Sequence, residues 1–373
     1  VPDSKRKIFV LSLKAALILL AISQIPFLYG VLESYWLRSY LESRPLEQTP
    51  PSPFMDVRGV VHVHSANGGH STGTYPEIIE AAKKTGTEWV LLTEHPREPQ
   101  LYREMSDPQV LMIYGWEEQL EQGGRVLRDK GSLFSAFSEF DDESVPAEMD
   151  GLEIFNLQES AEAHNNLYTW IEWLYHSLTF PEMFFFQIWE IEEARLDTWD
   201  SLLGSRHITG LAGVDAHQNL GLILKTAVGQ EIARVQVDPY EISFNTVSNH
   251  LLLPPGAPVT EENVLGALKT GSSYICFEAL GNPKGFAFYA KNSRGTFPPG
   301  STIGKDSVLK LSSPFPVLFR IIWEGKIFKE LEGTSFTVPV GLAGFYRVEV
   351  YLVDPPYMVE EKPWILTNPV FVE

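Results

Sequence analysis

Two histidines one residue apart, His62 and His64, close the mostly apolar run Val57 to Val63, and this placement constrains the fold more than any other feature of the chain. The run reads as a buried strand. His70 follows it, Thr93-Glu94-His95 ends the next apolar run (Trp89 to Leu92), and Gly213-Val214-Asp215-Ala216-His217 ends another. Imidazoles and carboxylates placed repeatedly where buried strands stop point to one polynuclear metal site at the mouth of an α/β barrel. Six of the nine histidines fall in these places or at the further candidate His164.

Composition narrows the partners. The formal net charge is −19 over 373 residues, which argues against nucleic acid, whose phosphates require Lys and Arg stripes. Part of the acidity could serve divalent cations. An apolar fraction of 44%, with 22 Phe, 14 Tyr and 9 Trp, is enough to bury sizeable cores. The single cysteine, Cys276, excludes an intramolecular disulfide framework and reads as a small buried residue.

At the N-terminus, Lys5, Arg6, Lys7 and Lys14 precede an uncharged stretch from Ala15 to Leu32, about the minimum that spans a bilayer as a helix. Basic residues before the span put the rest of the chain across the membrane, outside the cytoplasm on its periplasmic or extracellular face. The competing expectation is a signal peptide cleaved near Ala21-Ile22-Ser23, leaving a secreted protein. Residues 1–36 are thus an anchor or signal segment, and 37–56, with Pro45, Pro50, Pro51 and Pro53, a stiff linker.

A globular unit is expected over 57–280. Thr74-Tyr75-Pro76-Glu77 is a capping box opening a helix to about Thr85, with Gly86 at its end. Further strands are expected at Val110–Trp116, Leu133–Phe137, Leu152–Asn156 and Ile208–Val214, and helices near 160–178 and 190–203. The pattern changes over 281–373. Val317 to Trp323, a Glu324-Gly325-Lys326 turn and Ile327 to Leu331 read as a hairpin, and Tyr346 to Leu352 alternates with period two. These short strands predict an antiparallel β-sandwich. His176, His207 and His250 sit in no motif and read as structural, and the aromatic run Met183 to Trp189 as core or pocket wall.

In order along the chain, His62-x-His64 with His70, Thr93-Glu94-His95, Tyr114-Gly115-Trp116-Glu117, Gly151-Leu152-Glu153-Ile154-Phe155-Asn156 and Gly213-Val214-Asp215-Ala216-His217 resemble the successive motifs of the polymerase and histidinol phosphatase (PHP) superfamily. Thr260 to Gly271, Tyr346-Arg347-Val348-Glu349-Val350 and Pro363-Trp364-Ile365-Leu366-Thr367-Asn368-Pro369 are similar to segments of its carbaryl-hydrolase-like branch, so the resemblance covers about 57–373. It implies an α/β fold, a distorted (β/α)7 barrel followed by the C-terminal antiparallel β-sandwich, with the N-terminal membrane helix outside it.

The resemblance also implies two or three divalent metal ions, usually zinc, manganese or iron, a choice that imidazole and carboxylate donors favour over calcium or magnesium. His62, His64, Glu117 and Asp215 would hold a buried pair, and His70, His95 and His217 would complete it or hold a third ion. His164 is a further candidate ligand. Glu94, Glu153 and Asn156 are expected behind the ligands; Glu94 would orient an imidazole or be a surface charge. Where relatives carry His-Pro at the fourth strand this chain has Phe137, which cannot ligate, so that metal position is expected to be weakened, empty or completed by Glu139 or Glu118. The implied activity is attack of metal-bound hydroxide on a small-molecule phosphoester, carboxyl ester or carbamate. The alternative is a degenerate PHP protein that binds a ligand or cell-envelope partner without turnover.

Overall fold

A computed structural model of the chain describes residues 2–44, 51–69, 71–95, 107–120, 124–129, 131–136, 145–164, 166–183, 185, 190–226, 231–236 and 238–373. Two helices open it, α1 (Pro2–Ser23) and α2 (Ile25–Ser43), separated at Gln24 where Pro26 lacks the N–H that would continue the first helix. The segment Arg6–Ser43 is long and apolar enough to cross a membrane, which fits an anchor or a signal sequence.

The barrel is built from β1 (Met55–Val63), α3 (Tyr75–Thr85), β2 (Trp89–Glu94), β3 (Leu111–Gln119), β4 (Arg125–Arg128), β5 (Leu133–Ala136), β6 (Gly151–Asn156), α4 (Leu157–Ala163), α5 (Leu167–Thr179), α6 (Glu193–Leu203) and β7 (Thr209–Ala216). β1 to β7 close a ring, each strand bonded to the next and β7 to β1. All these pairs are parallel except β3–β4 and β4–β5. β4 is therefore a correction to a regular (β/α)7 ring: the stretch after Glu117 is too short for a crossover helix, so the chain returns as a hairpin. α3 starts and stops as its sequence predicts, with the Thr74–Glu77 capping box at one end and Gly86 at φ 72° at the other.

A two-stranded ribbon follows, β8 (Gly221–Lys225) and β9 (Glu231–Gln236), then α7 (Tyr240–Phe244), β10 (Ser248–Leu253), α8 (Glu261–Thr270) and β11 (Ser273–Cys276). The remaining strands are β12 (Ala287–Asn292), β13 (Gly295–Phe297), β14 (Thr302–Ile303), β15 (Val308–Trp323), β16 (Lys326–Pro339), β17 (Gly344–Leu352), β18 (Pro363–Thr367) and β19 (Val370–Val372). The β15–β16 hairpin turns at Glu324 (φ 50°) and Gly325 (φ 72°), the left-handed pair that matches strand twist. These strands are continuous with the barrel: β17 bonds β18, β18 bonds β11, β11 bonds β10, and β10 runs antiparallel to the first half of β1.

His250 locks that junction. Its Nδ1 lies 2.7 Å from Asp56 Oδ1 on β1, its Nε2 lies 2.8 Å from Glu278 Oε1, and the Tyr274 hydroxyl donates to Asp56 Oδ2. Burial resists charge on this imidazole, but Asp56 and then Glu278 outweigh it and hold the pKa up to about 9. A raised folded-state pKa gives stability that is complete below the unfolded value, about 6.5, and is lost as pH rises through the folded one. The unfolding free energy measured in urea should therefore fall by on the order of 3 kcal/mol between about pH 6.5 and 9, and this slope should flatten in His250→Gln. An unchanged slope in the variant would assign the titration elsewhere.

Candidate metal centre

The first two ligand candidates stand where β1 leaves regular pairing. Val61 pairs with Leu91 and Gly213, but Val63 pairs with Leu92 and Ala216, so His62 is an extra residue against β2 and faces Val214 and Asp215 on β7. His62 has φ 67° and Asp215 φ 44°, left-handed conformations that cost non-glycine residues about 1–3 kcal/mol each. Such bulges re-aim side chains, and here the two re-aimed groups meet. His62 Nε2 lies 3.3 Å from Asp215 Oδ1.

The remaining donors close around the same point. Nε2 of His62, His64 and His95 lie 3.5, 3.5 and 3.3 Å from Glu117 Oε2. His64 Nε2 lies 3.1 Å from Asp215 Oδ1, and His217 Nδ1 lies 3.5 Å from that oxygen. Four donors held at about 2.05 Å around a tetrahedral ion would be separated by about 3.3 Å. The observed spacings fit that value. Two overlapping groups result, His62–His64–Glu117 and His64–Asp215–His217, and they fit divalent metal ions.

Electrostatics leave His64, His95, Glu117 and Asp215 in ligand form. Burial drives His64 down to about 3, keeping it neutral, and burial also lowers His95. Burial resists ionisation of Glu117, but His62 outweighs it and brings the carboxyl to about 2; Asp215 is likewise held well below the usual carboxylate range, with His62 again overcoming burial. For His62 burial opposes charge, and Asp215 and Glu153 reverse it, so this imidazole is pushed up. A bound cation would take the place of that proton.

Glu153 and Asn156 stand behind His62. Glu153 Oε1 lies 2.7 Å from His62 Nδ1, and Asn156 Nδ2 donates to Glu153 Oε2 at 3.0 Å. With Nδ1 engaged by a carboxylate, Nε2 faces Glu117 and Asp215. Gly213 makes room for this, because a Cβ there would overlap the Glu153 carboxylate. Glu94 differs from both of its expected roles. It is fully buried and accepts the backbone N–H of Ser65 at 3.1 Å, bracing the residue after His64 rather than an imidazole.

Strand alternation settles which glutamate of the pair faces inward. Glu117 joins the cluster, and Glu118 points the other way, with Arg128 Nε 2.6 Å from its Oε1 and Trp116 Nε1 donating to Oε2. Glu118 therefore does not complete the metal position. His164 is at the C-terminal cap of α4, its Nδ1 2.8 Å from the Ser160 carbonyl, and belongs to neither group. The seven-residue α4 carries it roughly 10 Å beyond the end of β6. His70, Phe137 and Glu139 lie outside the described residues.

Two contacts had no motif to reveal them. Arg125 on β4 places Nη1 3.2 Å from Glu117 Oε1, and the Tyr240 hydroxyl donates to the His64 carbonyl at 2.6 Å. A third cluster, His250–Cys276–Glu278, has both imidazole nitrogens engaged by carboxylates and is the junction clamp described above.

No protein-family model matches the chain, and no curated protein matches it. Among solved structures it is similar to PsfC from Pseudomonas syringae PB-5123, with 12% identity and a TM-score of 0.33 over 60% of this chain and 93% of that one.

Proposed function

We propose that this protein is a metal-dependent hydrolase of the PHP superfamily, nearest its carbaryl-hydrolase-like branch. It would cleave a phosphoester, carboxyl ester or carbamate outside the cytoplasm, at a membrane to which α1 anchors it. One observation carries this reading: three imidazole Nε2 atoms stand 3.3–3.5 Å from a single Glu117 oxygen, and Asp215 bridges toward two of them. The donors come from the motifs whose order resembles the family. Zinc, manganese or iron bound there would supply Lewis acidity and an activated water near neutral pH. His62 and His64 are fully buried, whereas the side chains of His95 and His217 are 37% and 15% exposed. A substrate ester oxygen therefore reaches the centre from the His95–His217 side, and Glu153 and Asn156 keep His62 aimed at it.

A second reading has its own support. Arg125 occupies the Glu117 oxygen that a bridging carboxylate would offer to a second metal, and this favours a metal-binding protein without turnover. The test is a panel of phosphoesters, carboxyl esters and carbamates presented to the metal-loaded full chain in detergent. Hydrolysis that disappears on chelation and returns with metal is the expected result. Silence across the panel at full metal loading overturns the hydrolase reading and leaves the binder.

A further inference from the structure

α5 is apolar on two faces, one packed within the chain and the other exposed among the described residues. Thr169, Trp173 and His176 are buried, but Leu167, Trp170, Leu174 and Leu178, at spacings of i, i+3, i+7 and i+11, form a stripe that is 76%, 44%, 58% and 77% exposed. A surface helix of a soluble body would carry polar residues there.

The neighbours of α5 say what covers the stripe. The helix packs on α2, the continuation of the apolar N-terminal segment. Phe27 stacks on Tyr175 at 5.8 Å and meets Tyr168 at 4.8 Å. The Tyr175 hydroxyl donates to Gln24 Oε1 at 2.9 Å, and Ser34 Oγ lies 2.9 Å from His176 Nε2, a buried contact. At this same level of α2, Tyr29, Tyr35 and Trp36 are exposed. Exposed Tyr and Trp gathered where an apolar helix leaves the bilayer make the amphipathic belt found at membrane interfaces. The α5 stripe continues that belt with Trp170 and three leucines.

We propose that α5 lies in the interfacial layer of the bilayer that receives α1, with Leu167, Trp170, Leu174 and Leu178 against lipid. This rests on the reading of α1 as an anchor retained in the membrane. α4 and α5 follow directly from Asn156 at the ligand-bearing end of β6, so the contact holds that side of the barrel rim at the membrane surface. An interfacial helix of this kind gains from its buried apolar area without crossing the membrane.

The test is spin labelling of the full chain in lipid nanodiscs, one cysteine at a time: Leu19→Cys in α1, Leu174→Cys and Leu178→Cys in α5, and Ile327→Cys on the β15–β16 hairpin as an exposed control. The native Cys276 is buried. Relaxation enhancement by oxygen should exceed that by chromium oxalate at 19, 174 and 178 and fall below it at 327. Lipid-like behaviour at 19 with water-like behaviour at both 174 and 178 overturns the α5 assignment while leaving the anchor intact. Protection from both reagents at 174 and 178 also overturns it, and identifies a protein partner or second copy as the cover. Water-like behaviour at 19 overturns the anchor, and the α5 assignment with it.

Discussion

Replacing His62 and His64 together by alanine should abolish metal binding by the full chain in detergent. The wild-type chain should hold about two divalent ions after metal-replete purification, as a two-metal hydrolytic site requires. The double variant should hold none, because each of the two donor groups loses a histidine and His64 belongs to both. The first group then keeps only Glu117 and the second only Asp215 and His217, fewer than three donors in either. Glu153→Gln is the graded counterpart. It keeps the volume behind His62 but weakens the acceptor at Nδ1, and such supporting changes cost about 10–100-fold in metal affinity. Elemental analysis and competition with a chromogenic chelator measure both. A wild-type chain without metal, or a double variant with its full load, would remove the basis for a metal centre.

Arg347→Met should be strongly destabilising although it lies outside that centre. The guanidinium is 4% exposed and makes a fork to Asp200 on α6, Nε to Oδ1 and Nη2 to Oδ2, each at 2.7 Å, while Nη1 reaches Glu349 Oε1 at 2.6 Å. Tyr351 donates to the other Glu349 oxygen at 2.9 Å. Removing the arginine leaves Asp200 buried beside Glu349, whose remaining counter-charge is the partly exposed Arg320, Nη1 3.7 Å from Oε2, a loss of about 3–5 kcal/mol. At about 2–4 °C per kcal/mol for a domain of this size, the unfolding midpoint should drop by roughly 10 °C. Asp200→Asn in the same chain should recover part of the loss. An unchanged midpoint would mean that water reaches and screens the trio.

This contact also ties the C-terminal strands to the barrel, because α6 leads into β7, which carries Asp215. Together with the His250 clamp between β1 and β10, it holds the barrel to the strands beyond residue 281 by buried charge as well as by shared hydrogen bonding.

Much of the frame was legible in residue order alone. The apolar runs gave β1, β2, β6 and β7 and the ends at which His62, Glu94, Asn156 and Asp215 stand, since burial of a strand and the polarity of its end are local properties. The Thr74–Glu77 box, Gly86 and the Glu324–Gly325 turn were readable for the same reason, because caps and tight turns depend on residues a few positions apart. Other features required the folded chain. That Glu117 and not Glu118 faces inward, that β4 runs backwards and brings Arg125 to Glu117, and that Gly213 leaves room for Glu153 behind His62 all depend on strand neighbours and register. The bulges at His62 and Asp215 cost local strain that no propensity would favour; only pairing across strands from distant parts of the chain stabilises them. The same holds for α5, expected only as part of a helical stretch near 160–178, whose packing on α2 leaves one apolar face turned outward. Periodicity records that a residue is apolar or polar, and tertiary contacts alone decide what it meets.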